Sequence, residues 1–237
     1  MNFFKYHGTG NDFILIDCRS DMMLPSHREI INACQRQFGI GADGILSLWP
    51  TDSADIMVRI HNSDGSESAM CGNGLRCVAH HLLKNSDNNS YVQILTESGS
   101  YKVEKIDLER YRVAMGKPSF IHTELPDENQ NDISFAGVTF NGVAVHFGNP
   151  HYTIFTPDDP ETQLELYGAM LQHNPVFPKG ANISFAKFAD NRVVAVVYER
   201  GVGRTLACGS GACAIAVAAI KKNLWHFNRE LTVELPG

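Results

Sequence analysis

The strongest constraint on this 237-residue chain is an internal repeat. Residues 70–83 read MCGNGLRCVAHHLL, and residues 207–220 read ACGSGACAIAVAAI. Each stretch places Cys-Gly-x-Gly at the head of a helix-compatible run, with Cys71 and Cys208 137 residues apart. Nine residues before them stand Asn62 and Glu199, each closing a strand-like run. Asn11 in GND and Asn149 in GNP lie 138 apart, and GAD at 41–43 and GAN at 180–182 lie 139 apart. Glycine and asparagine recur in turns everywhere, but four landmarks in one order at a nearly constant offset mark a duplication. Two similar lobes facing each other across a cleft are expected. GACAIAVAAI is apolar on every face, so a helix there must be enclosed on all sides. A sheet wrapped around it meets that need, with Gly, Ala and Ser letting the strands approach. The expected fold class is α/β (α+β): two pseudo-symmetric lobes, each a mixed, mostly antiparallel sheet around a central apolar helix.

Strand-like runs include FILIDC, IMVRIHN, YVQILTES, YRVAMG, VTFNGVAVHFGNP, HYTIF, NISFAKF and RVVAVVYER, which alternate or are rich in β-branched and aromatic residues. Helices are expected at 26–38, 69–84, 161–173 and 209–222, with Pro25-Ser26 starting the first and Gly39 stopping it. KNSDNNS at 84–90 reads as an exposed turn. Residues 118–133, polar and aperiodic, are expected to connect a first lobe, 1–117, to a second, 134–237. The N-terminal MNFFKYHGTGNDF lacks the apolar core of a signal peptide, and no run reaches the ~20 apolar residues of a membrane span. A net charge of −6 without a basic stripe argues against nucleic acid or an anionic membrane as partner. A cytoplasmic protein with reduced thiols is expected, so its six cysteines are packing residues or reactive groups.

Two cysteines at two helix starts point to acid–base chemistry. A helix N-terminus carries unpaired amides and partial positive charge, which favour a thiolate and an anion alike. The amides of Gly72-Asn73 and Gly209-Ser210 could grip a carboxylate while Cys71 and Cys208 address the two faces of its α-carbon. One thiolate removes the α-proton, the other thiol returns a proton to the opposite face, and amides hold the charge that develops. Zinc is disfavoured, because C-x5-C and C-x4-C have poor ligand spacing. Cys18, Cys34, Cys77 and Cys213 read as packing residues, and His80-His81 as packing or surface. HGTGND lacks both G-x-G-x-x-G and the lysine of a phosphate loop.

NSDGSESAMCGNGLR, residues 62–76, resembles the signature of diaminopimelate epimerases without a gap. KYHGTGNDF, FGIGADG, GNPH and ERGVG…ACGSGACA resemble the other blocks of that family, in its order and over the whole chain. The resemblance implies an epimerase of LL- and meso-diaminopimelate, independent of pyridoxal and metal, serving lysine and peptidoglycan synthesis as a homodimer. It implies Cys71 and Cys208 as the acid–base pair, with His151 and Glu199 tuning the thiols. It implies Asn11, Asn62, Gly72, Asn73, Asn149, Asn182, Glu199, Arg200, Gly209 and Ser210 as substrate-binding. Glu199 suits an ammonium and Arg200 a carboxylate, whereas asparagine serves either. Gly44 stands where some members carry a glutamine, and Arg204 where glutamate is common. A cation at 204 is expected to favour the Cys208 thiolate. Family members continue past the position of Gly237, so the family's last segment is expected to be missing here.

Alternatives remain at this level. A cofactor-independent racemase of another amino acid, such as histidine or glutamate, could use the same scaffold. A non-catalytic amino-acid-binding protein would not need two thiols, and a thiol redox protein would need a Cys71–Cys208 cycle.

Overall fold

The computed structural model describes residues 2–20, 23–86, 89–127, 130, 132–135 and 137–237. These divide into two compact units, the first ending at Met115 and the second beginning at Gly116.

The first unit runs β1 (Phe3–Gly8), β2 (Asn11–Asp17), α1 (His27–Cys34), β3 (Gly44–Trp49), β4 (Ile56–Asn62), β5 (Glu67–Ser68), α2 (Gly72–Leu83), β6 (Tyr91–Thr96), β7 (Gly99–Lys105) and β8 (Tyr111–Val113). Its sheet has the order β1-β2-β3-β4-β6-β7-β8, with β5 also on β4. Thr9 and Gly10, both at positive φ, close the β1–β2 hairpin, so HGTGND is a tight turn. Alternation along β2 and β3 sorts side chains to opposite faces. Phe13, Leu15, Leu46 and Leu48 join the core around α2, while Ile14, Ile16 and Ile45 join Ile30, Cys18 and Cys34 beneath α1. Helix α2 packs against β1, β2, β6, β7 and β8, so the sheet curls around it. It buries Leu75, Cys77, Val78, Ala79 and Leu83, each large apolar side chain contributing roughly 1.5–3 kcal/mol.

The second unit runs β9 (Asp132–Phe135), β10 (Val138–His146), β11 (Pro150–Phe155), α3 (Pro160–Gln172), β12 (Asn182–Ala189), β13 (Arg192–Glu199), β14 (Gly203–Thr205), α4 (Gly209–Lys221) and β15 (Thr232–Glu234). The duplication is visible in the pairing. Strands β1-β2-β3-β4 pair antiparallel, parallel, antiparallel, and β10-β11-β12-β13 do the same. One edge of β4 carries antiparallel β5 at Ile60-His61 and parallel β6 at Ile56-Met57. That of β13 carries antiparallel β14 at Val197–Glu199 and parallel β15 at Arg192–Val194. Among the described residues, the second unit has no counterpart of β7 and β8. Accordingly α4 rests on β10, β11, β12 and β15, with Ala214, Ile215, Ala218 and Ala219 buried and Ala212, Cys213, Ala216 and Val217 only half-buried. The all-round enclosure expected from its composition holds for α2 more than for α4.

Three local expectations are corrected. Helix α1 begins at the Ser26 capping box with Glu29, as Pro25-Ser26 suggested, but ends at Cys34. Gln35 is extended, and the amides of Ile40 and Gly41 fold back onto the Ala33 carbonyl. The repeat offset is also one residue smaller at the GAD/GAN landmark. Gly44 pairs with Phe13 and Asn62, as Asn182 pairs with His151 and flanks the Ile183–Tyr198 pair. The counterpart of Asn182 is therefore Gly44, 138 residues earlier, and not Asp43. The described residues of 118–133 belong to the second unit: Ser119 exchanges backbone hydrogen bonds with His146, Leu125 is buried, and β9 starts at Asp132. Residues 128, 129 and 131 of that stretch, and 87 and 88 of KNSDNNS, lie outside the described residues.

Candidate active site

Both Cys-Gly-x-Gly motifs build the same device. Cys71 is the N-cap of α2, with φ −146° and ψ 105°, and its Sγ accepts the Gly74 N–H at 3.4 Å. Cys208 is the N-cap of α4, with φ −135° and ψ 109°, and its Sγ accepts the Gly211 N–H at 3.4 Å. Sulfur is a weak acceptor. Helices α1 and α3 use Ser26 and Asp159, the stronger caps. The two other helices, α2 and α4, start on a thiol, a weaker cap. The first i→i−4 bonds are Leu75 N–H to Cys71 O and Ala212 N–H to Cys208 O, both 2.9 Å. Gly72-Asn73 and Gly209-Ser210 thus stand in the first turns, ahead of the first i→i−4 bonds.

In the first unit, Arg76 donates from α2 to Asn73 Oδ1 at 2.5 Å and to Thr9 Oγ1 at 3.4 Å. The helix start is thereby tied to the β1–β2 turn that precedes Asn11. Gly8 faces the Asn73 carbonyl, which a Cβ would meet at 3.0 Å. Asn62 ends β4 and donates to Ser66 Oγ at 2.9 Å. Behind Asn11, Asp12 and Asp43 exchange backbone amide contacts and share Arg36. Burial raises the Asp12 pKa, but hydrogen bonds from Arg36 and Lys5 outweigh it and hold the carboxyl below its ordinary range. Burial raises that of Asp43.

In the second unit, the site residues form connected chains. His151 is wholly buried on β11. Its Nε2 lies 2.8 Å from Asn149 Oδ1 and 3.0 Å from Ser210 Oγ. The Asn149 oxygen can only accept, so Nε2 carries the proton in this arrangement. Burial, with lesser repulsion from His146 and Arg200, pushes the imidazole down to about 3, which keeps it neutral. Ser210 Oγ in turn lies 3.5 Å from Cys208 Sγ. Burial raises the Cys208 thiol well above its ordinary value, and the negative charge of Glu199 raises it further. Glu199 is held by the Thr205 hydroxyl at 2.6 Å. Asn182 accepts the Arg200 backbone N–H at 2.8 Å and donates to Pro150 O at 3.0 Å.

The sequence reading missed Thr205, although Thr205 and Gly203 follow Glu199 in the alternation of β13–β14. It named the Ser210 amide but not its hydroxyl. Arg204 is a correction: its guanidinium pairs with Glu161 in the first turn of α3, so its charge is spent there rather than on Cys208. Cys18, Cys34 and Cys77 are buried among apolar neighbours, and burial pushes Cys77 up to about 12. Among the described residues, one cluster brings three metal-type ligand atoms within 4.8 Å of one another, namely His122, Glu124 and His146. No described helix is long and apolar enough to cross a membrane.

Residues 3–121 and 143–237 match the family model for diaminopimelate epimerase, which leaves 122–142 unmatched. A diaminopimelate epimerase of Carboxydothermus hydrogenoformans is 38% identical over 247 residues, covering 100% of this chain and 89% of that protein. One of Trichodesmium erythraeum is 40% identical over 248 residues, covering 100% and 88%. Among solved structures, a hydroxyproline epimerase from Agrobacterium vitis with bound trans-4-hydroxy-L-proline superposes with TM-score 0.69 at 16% identity, covering 97% of this chain and 79% of that one. A PhzF-family phenazine biosynthesis protein of Bacillus anthracis gives 0.65 at 15% identity, covering 99% and 86%. At those identities the likeness is one of fold.

Proposed function

This chain belongs to the diaminopimelate epimerase family, and from that premise we propose that it interconverts LL- and meso-diaminopimelate through a thiolate–thiol pair, Cys71 and Cys208. It is an isomerase of amino-acid biosynthesis. Inverting a carbon that carries one exchangeable proton needs one base and one acid. The observation that carries the assignment is the matched use of a weak-capping cysteine ahead of two glycines at the start of α2 and of α4. Helix-start amides stabilise the charge that builds on the substrate carboxylate as the α-proton leaves.

Burial, and after it the Glu199 carboxylate, keep Cys208 as the neutral thiol, which suits it to donate when Cys71 abstracts. In the reverse direction the roles exchange. His151 acts as a neutral positioning group that holds Ser210, and through it the Cys208 sulfur. Asn11, Asn62, Asn149, Asn182, Glu199 and Arg200 bind the amino-acid groups, Arg200 taking the distal carboxylate and Glu199 an ammonium. The protein works in the cytoplasm as a homodimer, with no cofactor.

The test is α-proton exchange in D2O and epimerisation of LL-diaminopimelate by the reduced protein. Cys71→Ala and Cys208→Ala should each lower turnover by about 10³-fold or more, in the range of acid–base catalysis. Cys71→Ser and Cys208→Ser should be as stable as the parent or more so, because serine caps better. Full turnover in any single variant would refute the pairing of roles.

A further inference from the structure

The stretch that reads as a featureless connection delivers a carboxylate to Arg200. Ser119 is fixed to the end of β10 by two backbone bonds with His146, at 3.0 and 2.8 Å. The chain then turns: Ser119 Oγ donates to Ile121 O at 2.7 Å, the Glu124 N–H donates to His122 Nδ1 at 3.2 Å, and the Leu125 N–H to His122 O at 3.0 Å. Buried Leu125 pins the turn. Glu124 is thereby aimed inward with its side chain only 15% exposed. Its Oε2 lies 3.5 Å from Arg200 Nη1, and its Oε1 lies 3.2 Å from Lys179 Nζ. Arg200 is held at its other end, where its backbone N–H donates to Asn182 Oδ1 and its Cδ lies over Gly180. Gly180 sits at φ +75°, and a Cβ there would reach within 3.6 Å of Arg200 Cδ.

The same atoms could be read as a metal site, since His122, Glu124 and His146 offer ligand atoms within 4.8 Å of one another. Two observations favour the other reading. The two imidazoles are stacked, 3.8 Å between centroids and 16° between planes. An ion lies in the plane of each imidazole that binds it, and near-parallel stacked planes share no nearby point. Two cations already neutralise Glu124, so a dication there would face Lys179 and Arg200.

We propose that Glu124 is the positioning residue of Arg200: it steers the guanidinium that receives the distal carboxylate and so sets recognition of that group. This rests on the function proposed above. Glu124 lies in the stretch 122–142 that the family model leaves unmatched. A guanidinium held at one nitrogen keeps its remaining N–H groups for a ligand and loses less freedom when the ligand arrives.

Two measurements test it. The first needs no substrate: labelling of Arg200 by phenylglyoxal, followed by peptide mass spectrometry. Glu124→Gln, which keeps shape and removes charge, should label roughly threefold faster or more; an unchanged rate overturns the pairing. The second is kinetic. In Glu124→Gln the KM for LL-diaminopimelate should rise about 3- to 10-fold, the scale of one partly exposed ion pair, with kcat within about twofold. Glu124→Asp should recover most of the loss. A KM that stays level, or falls because Glu124 competes with the substrate carboxylate, overturns the proposal. So does Zn²⁺ alone accelerating Arg200 labelling in the parent but not in His146→Ala, which would assign Glu124 to a metal. A parent protein inert toward diaminopimelate would sink the proposed function instead, and the labelling result would still decide the pairing.

Discussion

Gly44 offers the sharpest test of the local geometry, because the family resemblance admits a glutamine there and this structure does not. A Cβ on Gly44 would lie 2.4 Å from the His61 carbonyl oxygen and 3.5 Å from Phe13 Cε1. An ordinary C···O contact is about 3.3 Å or more, so β3 and β4 must separate by about 1 Å at that end. The obstacle is backbone, zipped through six paired positions from Gly44↔Asn62 to Trp49↔Met57, and cannot rotate away. Overpacking of this kind costs about 1–3 kcal/mol. At roughly 4 °C per kcal/mol for a unit of this size, Gly44→Ala should melt some 4–12 °C below the parent. Asn62 sits directly opposite, so its hold on Ser66 and on substrate shifts with the strand. KM should rise several-fold while kcat changes less. Differential scanning calorimetry and steady-state epimerisation read the two effects. An alanine variant that melts within about 1 °C of the parent with unchanged KM would refute the steric argument.

Two further outcomes follow from the second unit. Tyr152 Oη donates to Phe140 O at 2.8 Å and accepts the Gly142 N–H at 2.9 Å, all buried; Tyr152→Phe should cost about 1–3 kcal/mol in chemical denaturation and leave kcat intact. The Cys208 thiol is raised by burial and then by Glu199, so its alkylation by iodoacetamide should rise only at pH above the ordinary thiol range. Removing the charge in Glu199→Gln should move that midpoint to lower pH, and a midpoint that stays or rises would contradict the electrostatic reading.

The parts of this protein written in local pattern were legible from the sequence. Period-2 alternation located β4 and a β-branched run located β13, each to within a residue, and Pro25-Ser26 and the two Cys-Gly-x-Gly starts located three helix N-termini. The repeat told that two units share a plan, because duplicated chains keep their turn residues. Strands such as β7 and β14 escaped, being short or polar on one face, with their apolar partners supplied by neighbours.

What the sequence could not decide depends on which atoms meet across distant segments. The neutral state of His151 follows from complete enclosure, which no residue near it in the chain announces. The glycine at 44 is compelled by a carbonyl seventeen residues later. Glu124 gains its meaning only when a turn without pattern is folded against Arg200. Chain chemistry determines which elements form and where reactive groups start helices. Desolvation, close contact and charge pairing are properties of the packed structure, and those settle how the groups behave.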